Sequence, residues 1–196
     1  DEQELVKVIA KALGRTEDQL ILNSLDAPTY TGNHTIAVDF ESVGTNTGLT
    51  IEKLEEAVVV LDDAGIPEED RILVAPARAK RELLASAKAT SGDYVGEVRP
   101  LVSGKVDEFL GFKFVWIADT IDAGTGDKYG LPGVGTVLRK CFAYHKDAAA
   151  LAVGNLDKET RIDYVAQKTA HLVLAPLRAG SVVREVAGVV EINIEL

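Results

Sequence analysis

Methionine is absent from this 196-residue chain. Asp1 is therefore not a translation start, and it is expected to follow a proteolytic cut or a boundary within a longer polypeptide. Cysteine occurs once, as Cys141, which excludes an intrachain disulfide and is compatible with a reducing compartment. No apolar run approaches the roughly 20 residues that a membrane-spanning helix needs, and no signal peptide is visible. The sequence therefore points to no membrane partner. Positive charge is also scarce: 21 Lys and Arg stand against 31 Asp and Glu, a formal net charge of −10. The pI is near 4.8. An acidic chain without a basic cluster argues against a nucleic-acid reader, which normally shows a Lys/Arg patch. DNA as an enclosed neighbour stays compatible, because a container has no need to grip its contents.

What is present is an ordinary globular composition, with 46% hydrophobic and 27% charged residues. A chain of this length suits one domain, or two small ones sharing a sheet. It can bury roughly 70% of the surface its unfolded form exposes, so neither disulfides nor a metal are needed for stability.

The first 24 residues read as a helix, with Leu5, Val8, Ile9, Ala12 and Leu13 in one apolar stripe and Leu20 and Ile21 continuing it past Gly14. Residues 26–48 are rich in Pro, Thr, Gly, Asn and Ser and read as loop, with one short strand over Thr35 to Phe40. Thr50 then opens the clearest helix. Its hydroxyl can cap the helix, Glu52, Glu55 and Glu56 suit the positive end of the dipole, and Leu54, Ala57, Val58 and Leu61 form the buried face. Gly65 suits the position after the helix end, and Pro67 prevents continuation. Arg71 to Ala75 is an apolar run, hence a buried strand, and Ala77 to Ala87 is a second helix. Phe112 to Ala118 alternates as a strand burying aromatics on one side, whereas Ser91–Lys105 and Asp122–Thr136 read as surface loops, the latter mobile. From Arg139 onward, apolar runs at Cys141–Tyr144, Ala148–Val153 and His171–Leu177 are separated by Gly and charged turns. The chain closes on strict alternation, with Val190, Ile192, Ile194 and Leu196 on one face of a strand and Glu191, Asn193 and Glu195 on the other.

The residues that could carry chemistry do not assemble in the sequence. No glycine fingerprint joins a strand to a helix, and no Gly-Lys-Ser/Thr follows a glycine loop, so nucleotide binding lacks its cradle. The Asp122–Thr136 segment lacks the terminal Glu of a calcium loop. Cys141 and His145 lie four apart in a run of strand character, which places them roughly 13 Å apart, beyond hydrogen-bonding reach. His34, His145 and His171 occur singly, without zinc-ligand spacing. Asp62, Asp63, Glu68, Glu69 and Asp70 read as a solvated cluster at a helix end. No catalytic residue, cofactor or metal ligand emerges, and the expectation is a non-enzyme. A small cytoplasmic hydrolase using Cys141 or a His–Asp pair is the remaining enzymatic alternative.

Four stretches in order carry a resemblance: Thr47–Leu54 followed by Ile66–Val74, Val106–Phe114, and the block of Phe142–Gly154, Thr160–Lys168 and Leu177–Ile192. Together they resemble major capsid proteins of tailed bacteriophages with the Hong Kong 97-type fold. The resemblance implies an α+β subunit with a peripheral domain (spine helix plus long β-sheet) and an axial domain (mixed sheet flanked by helices). It implies a peripheral domain over residues 1–49 and an axial domain over 50–155. Residues 156–180 would return to the peripheral sheet, and 181–196 would supply the final axial strand. It implies self-assembly into hexamers and pentamers of an icosahedral head around double-stranded DNA. Scaffold and portal proteins would be assembly partners, and the place of assembly the cytoplasm of a bacterial host. Family members carry an N-terminal arm and an extended loop that have no counterpart ahead of Asp1, so a fragment or processed form is expected. The candidate subunit contacts are Asp93 and Tyr94 in one loop and Asp127, Lys128 and Tyr129 in the other. An encapsulin-like compartment shell shares the fold and is the alternative within it.

Overall fold

The computed structural model describes residues 2–42, 44–85, 107–118, 129–133, 138–154, 161–165, 167 and 170–196. In chain order the elements are α1 (Glu2–Asp26), β1 (Thr35–Ile36), α2 (Ile51–Asp63), β2 (Arg71–Pro76), α3 (Ala79–Ala85), β3 (Glu108–Phe109) and β4 (Phe112–Ile117). They continue with β5 (Leu138–His145), β6 (Ala149–Val153), β7 (Arg161–Val165), β8 (Ala170–Leu174), β9 (Ala179–Val183) and β10 (Val189–Glu195). Six strands form a mixed sheet in the order β1-β10-β5-β2-β4-β3, and β6–β9 and β7–β8 form two-stranded sheets. The class is α+β.

The last third of the chain is a nested antiparallel hairpin. Partners step inward from Leu138↔Glu195 through Tyr144↔Val189, Ala149↔Val183 and Val153↔Ala179 to Arg161↔Leu174 and Val165↔Ala170. Two short 3-10 turns, Lys146–Ala148 and Val186–Gly188, face each other where the first segment gives way to the second. The crossing is tight: a Cβ on Gly188 would lie 2.8 Å from the Ala148 Cβ, so only glycine fits.

The outer segment of that hairpin supplies two adjacent strands of the six-stranded sheet, and both its faces are covered. On one face, Leu73, Ala75, Phe112, Cys141, Ala143, Val190, Ile192 and Ile194 pack with Ile51, Leu54, Ala57, Val60 and Leu61 of α2 and Leu83 of α3. On the other, Val74, Phe142 and Val189 meet Leu22 and Leu25 of α1 together with Tyr30 and Leu131. Each fully buried Leu, Ile or Phe contributes roughly 1.5–3 kcal/mol relative to exposure. The alternation expected from Val190 to Ile194 is met by three side chains at 0% exposure. Glu191, expected on the open face, is buried and paired with Lys140 at 3.2 Å, and Lys140 also holds Asp26 of α1 at 2.9 Å.

Several expectations are corrected in detail. The helix expected to end at Ser24 runs to Asp26 without breaking at Gly14, and Val8 is 63% exposed rather than part of a buried stripe. The strand expected over Thr35–Phe40 stops at Ile36. Beyond it the backbone coils through turns, with Phe40 N–H donating to Ala37 O and Ser42 N–H to Asp39 O. The capping expected at Thr50 is present, its hydroxyl accepting from Lys53 N–H at 3.4 Å, and Gly65 takes the left-handed conformation (φ 71°) after the helix. Val58 is only partly buried, whereas Ile51, Val60 and Lys53 join the buried face. The second helix is described from Ala79 rather than Ala77. A hairpin unforeseen in the sequence joins β3 to β4 through Leu110 (φ 50°) and Gly111 (φ 76°), the left-handed pair that a two-residue turn requires.

Lys53 is the least expected feature. Its side chain has 0% exposure, and its ammonium donates to four backbone carbonyls: Val38 at 2.9 Å, Thr47 at 3.0 Å, Gly48 at 3.1 Å and Asn193 at 3.1 Å. Burial pulls its pKa below the ordinary lysine value, against the opposing pull of Glu41 and other nearby anions. Arg71, 2% exposed, braces the far end of α2 by donating to Pro67 O, Ile66 O and the Asp62 carboxylate.

Replacing Lys53 by Met takes the ammonium from Gly48 O and Asn193 O, while Val38 O keeps the Thr47 N–H and Thr47 O keeps the Glu195 N–H, and about 2–4 kcal/mol of stability is expected to go. A urea titration checks this, and a loss under about 0.5 kcal/mol would refute the role assigned to the ammonium. A second prediction concerns pH. Asp70 (φ 56°) is held below its ordinary pKa by a hydrogen bond from Lys113 and the charges of Lys113 and Lys146. Its contribution is fully present above its ordinary value of 3.8 and is lost as pH falls through the lowered folded value. Asp70→Asn keeps a residue that tolerates the turn. It is expected to flatten the acid limb of a plot of denaturation midpoint against pH while leaving the slope near pH 7 unchanged.

Candidate assembly surface

The residues considered for catalysis are dispersed by the fold. Cys141 is buried in the sheet, in register with Ile192, and His145 stands at the far end of the same strand opposite Arg71. His145 Nδ1 instead accepts the Asp147 backbone N–H at 3.2 Å. His34 Nδ1 lies 3.1 Å from Val189 O, tying the start of β1 to β10. In β7–β8 the backbone register sets His171 against Tyr164 and Asp163 against Leu172, so the two residues of the considered His–Asp pair are not opposite each other. Among the described residues, no group of three His, Cys, Asp or Glu could hold a metal ion, and no helix is long and apolar enough to cross a membrane.

Of the five candidate contact residues, Asp93, Tyr94, Asp127 and Lys128 lie outside the described residues. Tyr129 is described, and its own chain engages it. Its ring lies under the Arg15 guanidinium at 5.7 Å, and its hydroxyl donates to Asp18 at 3.4 Å. Burial, followed by the Asp18 charge, raises the phenol's pKa. Next to it the Gln19 side chain closes on Gly130, donating to its C=O at 3.2 Å and accepting its N–H at 2.9 Å. Residues 129–133, expected to be part of a mobile loop, are thus docked on α1.

A different surface stands out. Among the described residues, none from 4 to 21 and none from 149 to 187 is buried. These segments are most of α1 and the two inner segments of the nested hairpin. α1 packs along β9 and β6, with Ser24 Oγ 2.8 Å from Ser181 Oγ, and Ser181 Oγ donating to Ala150 O at 3.2 Å. Beyond that contact the apolar side chains are bare: Val182 is 60% exposed, Tyr164 58%, Leu172 46%, Leu174 47% and Ile162 40%. Cross-strand register puts Ile162 and Tyr164 on one face of the β7–β8 ribbon and Leu172 and Leu174 on the other. Both faces of a two-stranded ribbon therefore carry uncovered apolar groups. An isolated hairpin of this kind is marginal in water, and exposed apolar patches mark contact sites. The sequence did carry this signal, since apolar residues occupy even positions in both β7 and β8 while the register pairs even with odd, and so fill both faces.

Comparison with known proteins gives a family and a fold. A family model described as phage capsid protein matches residues 1–195. Among solved structures, the chain is similar to a chain of Mycobacterium phage Che8, with a TM-score of 0.68 at 20% identity, covering 98% of this chain and 63% of that one. A chain of the capsid of cyanophage P-SCSP1u has a TM-score of 0.68 at 18% identity, covering 98% and 65%. A chain of the mature capsid of bacteriophage PhiM1 has 0.61 at 15%, covering 99% and 65%. The chain spans less than two thirds of the length of each of these three. The fold they share is the Hong Kong 97-type, as expected from the four ordered stretches. No curated protein matches.

The uncovered ribbon predicts dye binding. A hydrophobic probe such as ANS is expected to fluoresce with the dissociated subunit. Ile162→Ser combined with Leu172→Ser is expected to lower that signal several-fold while shifting stability by no more than about 0.5 kcal/mol per site. A large loss of stability would mean that these side chains are buried in the free subunit after all.

Proposed function

The chain belongs to the phage capsid protein family, and on that premise we propose that it is the shell-forming part of a major capsid protein. Its copies assemble into hexamers and pentamers that tile an icosahedral head around double-stranded DNA. The observation that carries this reading is the lobe of residues 4–21 of α1 and the inner hairpin, which exposes apolar side chains on both faces of a ribbon and, among its described residues, buries none. Such a lobe gains its missing burial from neighbouring copies. Binding energy is then distributed over many modest symmetric contacts, and no step of bond chemistry is required. The role is structural and non-enzymatic.

The proposed domain division is peripheral for 1–49 and 156–180 and axial for 50–155 and 181–196, with boundaries falling inside the nested hairpin. Support comes from the scarcity of buried side chains over residues 4–21 of α1 and the β7–β8 ribbon, whereas Ile36 and Leu49 of the first segment pack with the six-stranded sheet. Scaffold and portal proteins are the proposed assembly partners, and the DNA is a non-specific neighbour of an acidic chain. Assembly takes place in the host cytoplasm, and the product resides in the virion.

Electron microscopy of the expressed full-length parent is the test. Uniform closed shells are expected, and Tyr164→Asp with Leu174→Asp is expected to yield folded subunits that no longer close into shells. A parent protein that stays monomeric at every concentration would overturn the reading.

A further inference from the structure

In a chain with a surplus of ten negative charges, any assembly of identical copies brings like charges together, and unpaired cations gain most by sitting at the contact. Arg78 and Arg81, three residues apart at the start of α3, are both exposed. Among the described residues neither guanidinium has a carboxylate partner in its own chain. They line a groove of about 660 Å³ with Ala77, Glu82 and Leu196. Lys80 between them lies over the Trp116 ring on β4, 5.8 Å from its centroid, which adds a third cation to the patch. This is a basic cluster that the overall charge conceals.

The complementary surface is on the same molecule. The outward side of α2 presents Glu55, Val59 and Asp63 at four-residue spacing, hence on one stripe. All three are exposed, Val59 by 51%, and among the described residues neither carboxylate has a cationic partner. α2 lies over the β1–β10 end of the six-stranded sheet, whereas α3 lies over β2, with Lys80 reaching toward β4. The basic patch and the acidic stripe therefore lie on neighbouring helices over the same face of the sheet, with Glu82 of α3 tied to Leu49 just ahead of α2. Among the described residues no ion pair joins them within one chain, so both charges are open to a second copy set side by side.

We propose that Arg78 and Arg81 of one copy dock on the Glu55–Val59–Asp63 stripe of the next, forming the head-to-tail contact within a ring of subunits. A heterologous contact of this kind closes into rings when its rotation permits, as hexamers and pentamers require. The aliphatic stems of the arginines cover Val59 while their guanidinium groups meet the flanking carboxylates. The proposal rests on the capsid reading above and names the partner surface within it.

Charge reversal in the full-length parent tests it. Arg78→Glu with Arg81→Glu, and separately Glu55→Arg with Asp63→Arg, are each expected to raise the protein concentration needed for assembly at least about tenfold in sedimentation velocity. All four changes on one chain restore the opposite charges in swapped positions and are expected to recover assembly. Circular dichroism verifies that each variant is folded. Assembly of either pair variant at the wild-type concentration, or failure of the folded four-fold variant to recover, overturns this contact while the capsid reading stands. A wild-type parent that never assembles overturns both.

Discussion

One buried ammonium sets the geometry of the half of the molecule that has a core. Lys53 draws onto a single nitrogen the carbonyls of Val38, Thr47 and Gly48 and that of Asn193 in β10. The chain between β1 and α2 has no ladder of its own and turns repeatedly, yet both its ends are bound to the same point. Glu82 of α3 completes the arrangement by accepting the Leu49 N–H at 3.0 Å, and a Cβ on Gly48 would overlap that carboxylate. Removing a charge from water costs several kcal/mol unless its hydrogen bonds are replaced, and here four carbonyls replace them. The result locks the start of α2 to the final strand and so fixes the angle at which α2 crosses the sheet.

The two halves of the chain solve the burial problem differently. Around the six-stranded sheet, helices cover both faces and side chains at 0% exposure line the strands. Along α1 and the inner hairpin a single helix meets a two-strand ribbon, which is one layer too few to enclose a core. The first half is self-sufficient. The second is stable only as far as α1, the Ser24–Ser181 contact and its connection to the sheet hold it. A lobe built this way leaves apolar side chains uncovered along its length.

Much of this was legible in the residues, for identifiable reasons. α2 has a cap, a stripe and a stop, and β10 has a strict period of two, so both declare themselves locally. Cys141 was read as a buried residue of a strand, and it lies buried in β5. Lys53 was not legible: a lysine beside Leu54 in a helix ordinarily points to solvent, and its burial rests on carbonyls of an irregular loop and on the distant carbonyl of Asn193. Tyr129 could not be placed from sequence because its partners, Arg15 and Asp18, lie over a hundred residues away. The β3–β4 turn was hidden because Leu110 occupies a left-handed position that residues such as Asn or Gly normally mark. The basic patch was hidden by composition, since a net charge says nothing of where the minority charge sits.

The nested hairpin also imposes an order on synthesis. β10 lies inside the six-stranded sheet, between β1 and β5, yet every other strand emerges from the ribosome before it. At about 10 residues per second, several seconds separate the appearance of β5 from that of the strand that must pair with it, whereas hairpins close in microseconds. Until then the inner segments can zip and β5 can pair with β2, but β1 and the other edge of β5 wait unpaired and α2 lacks the Asn193 carbonyl that anchors it. The six-stranded sheet of a nascent chain is therefore finished only when the last of the described strands arrives.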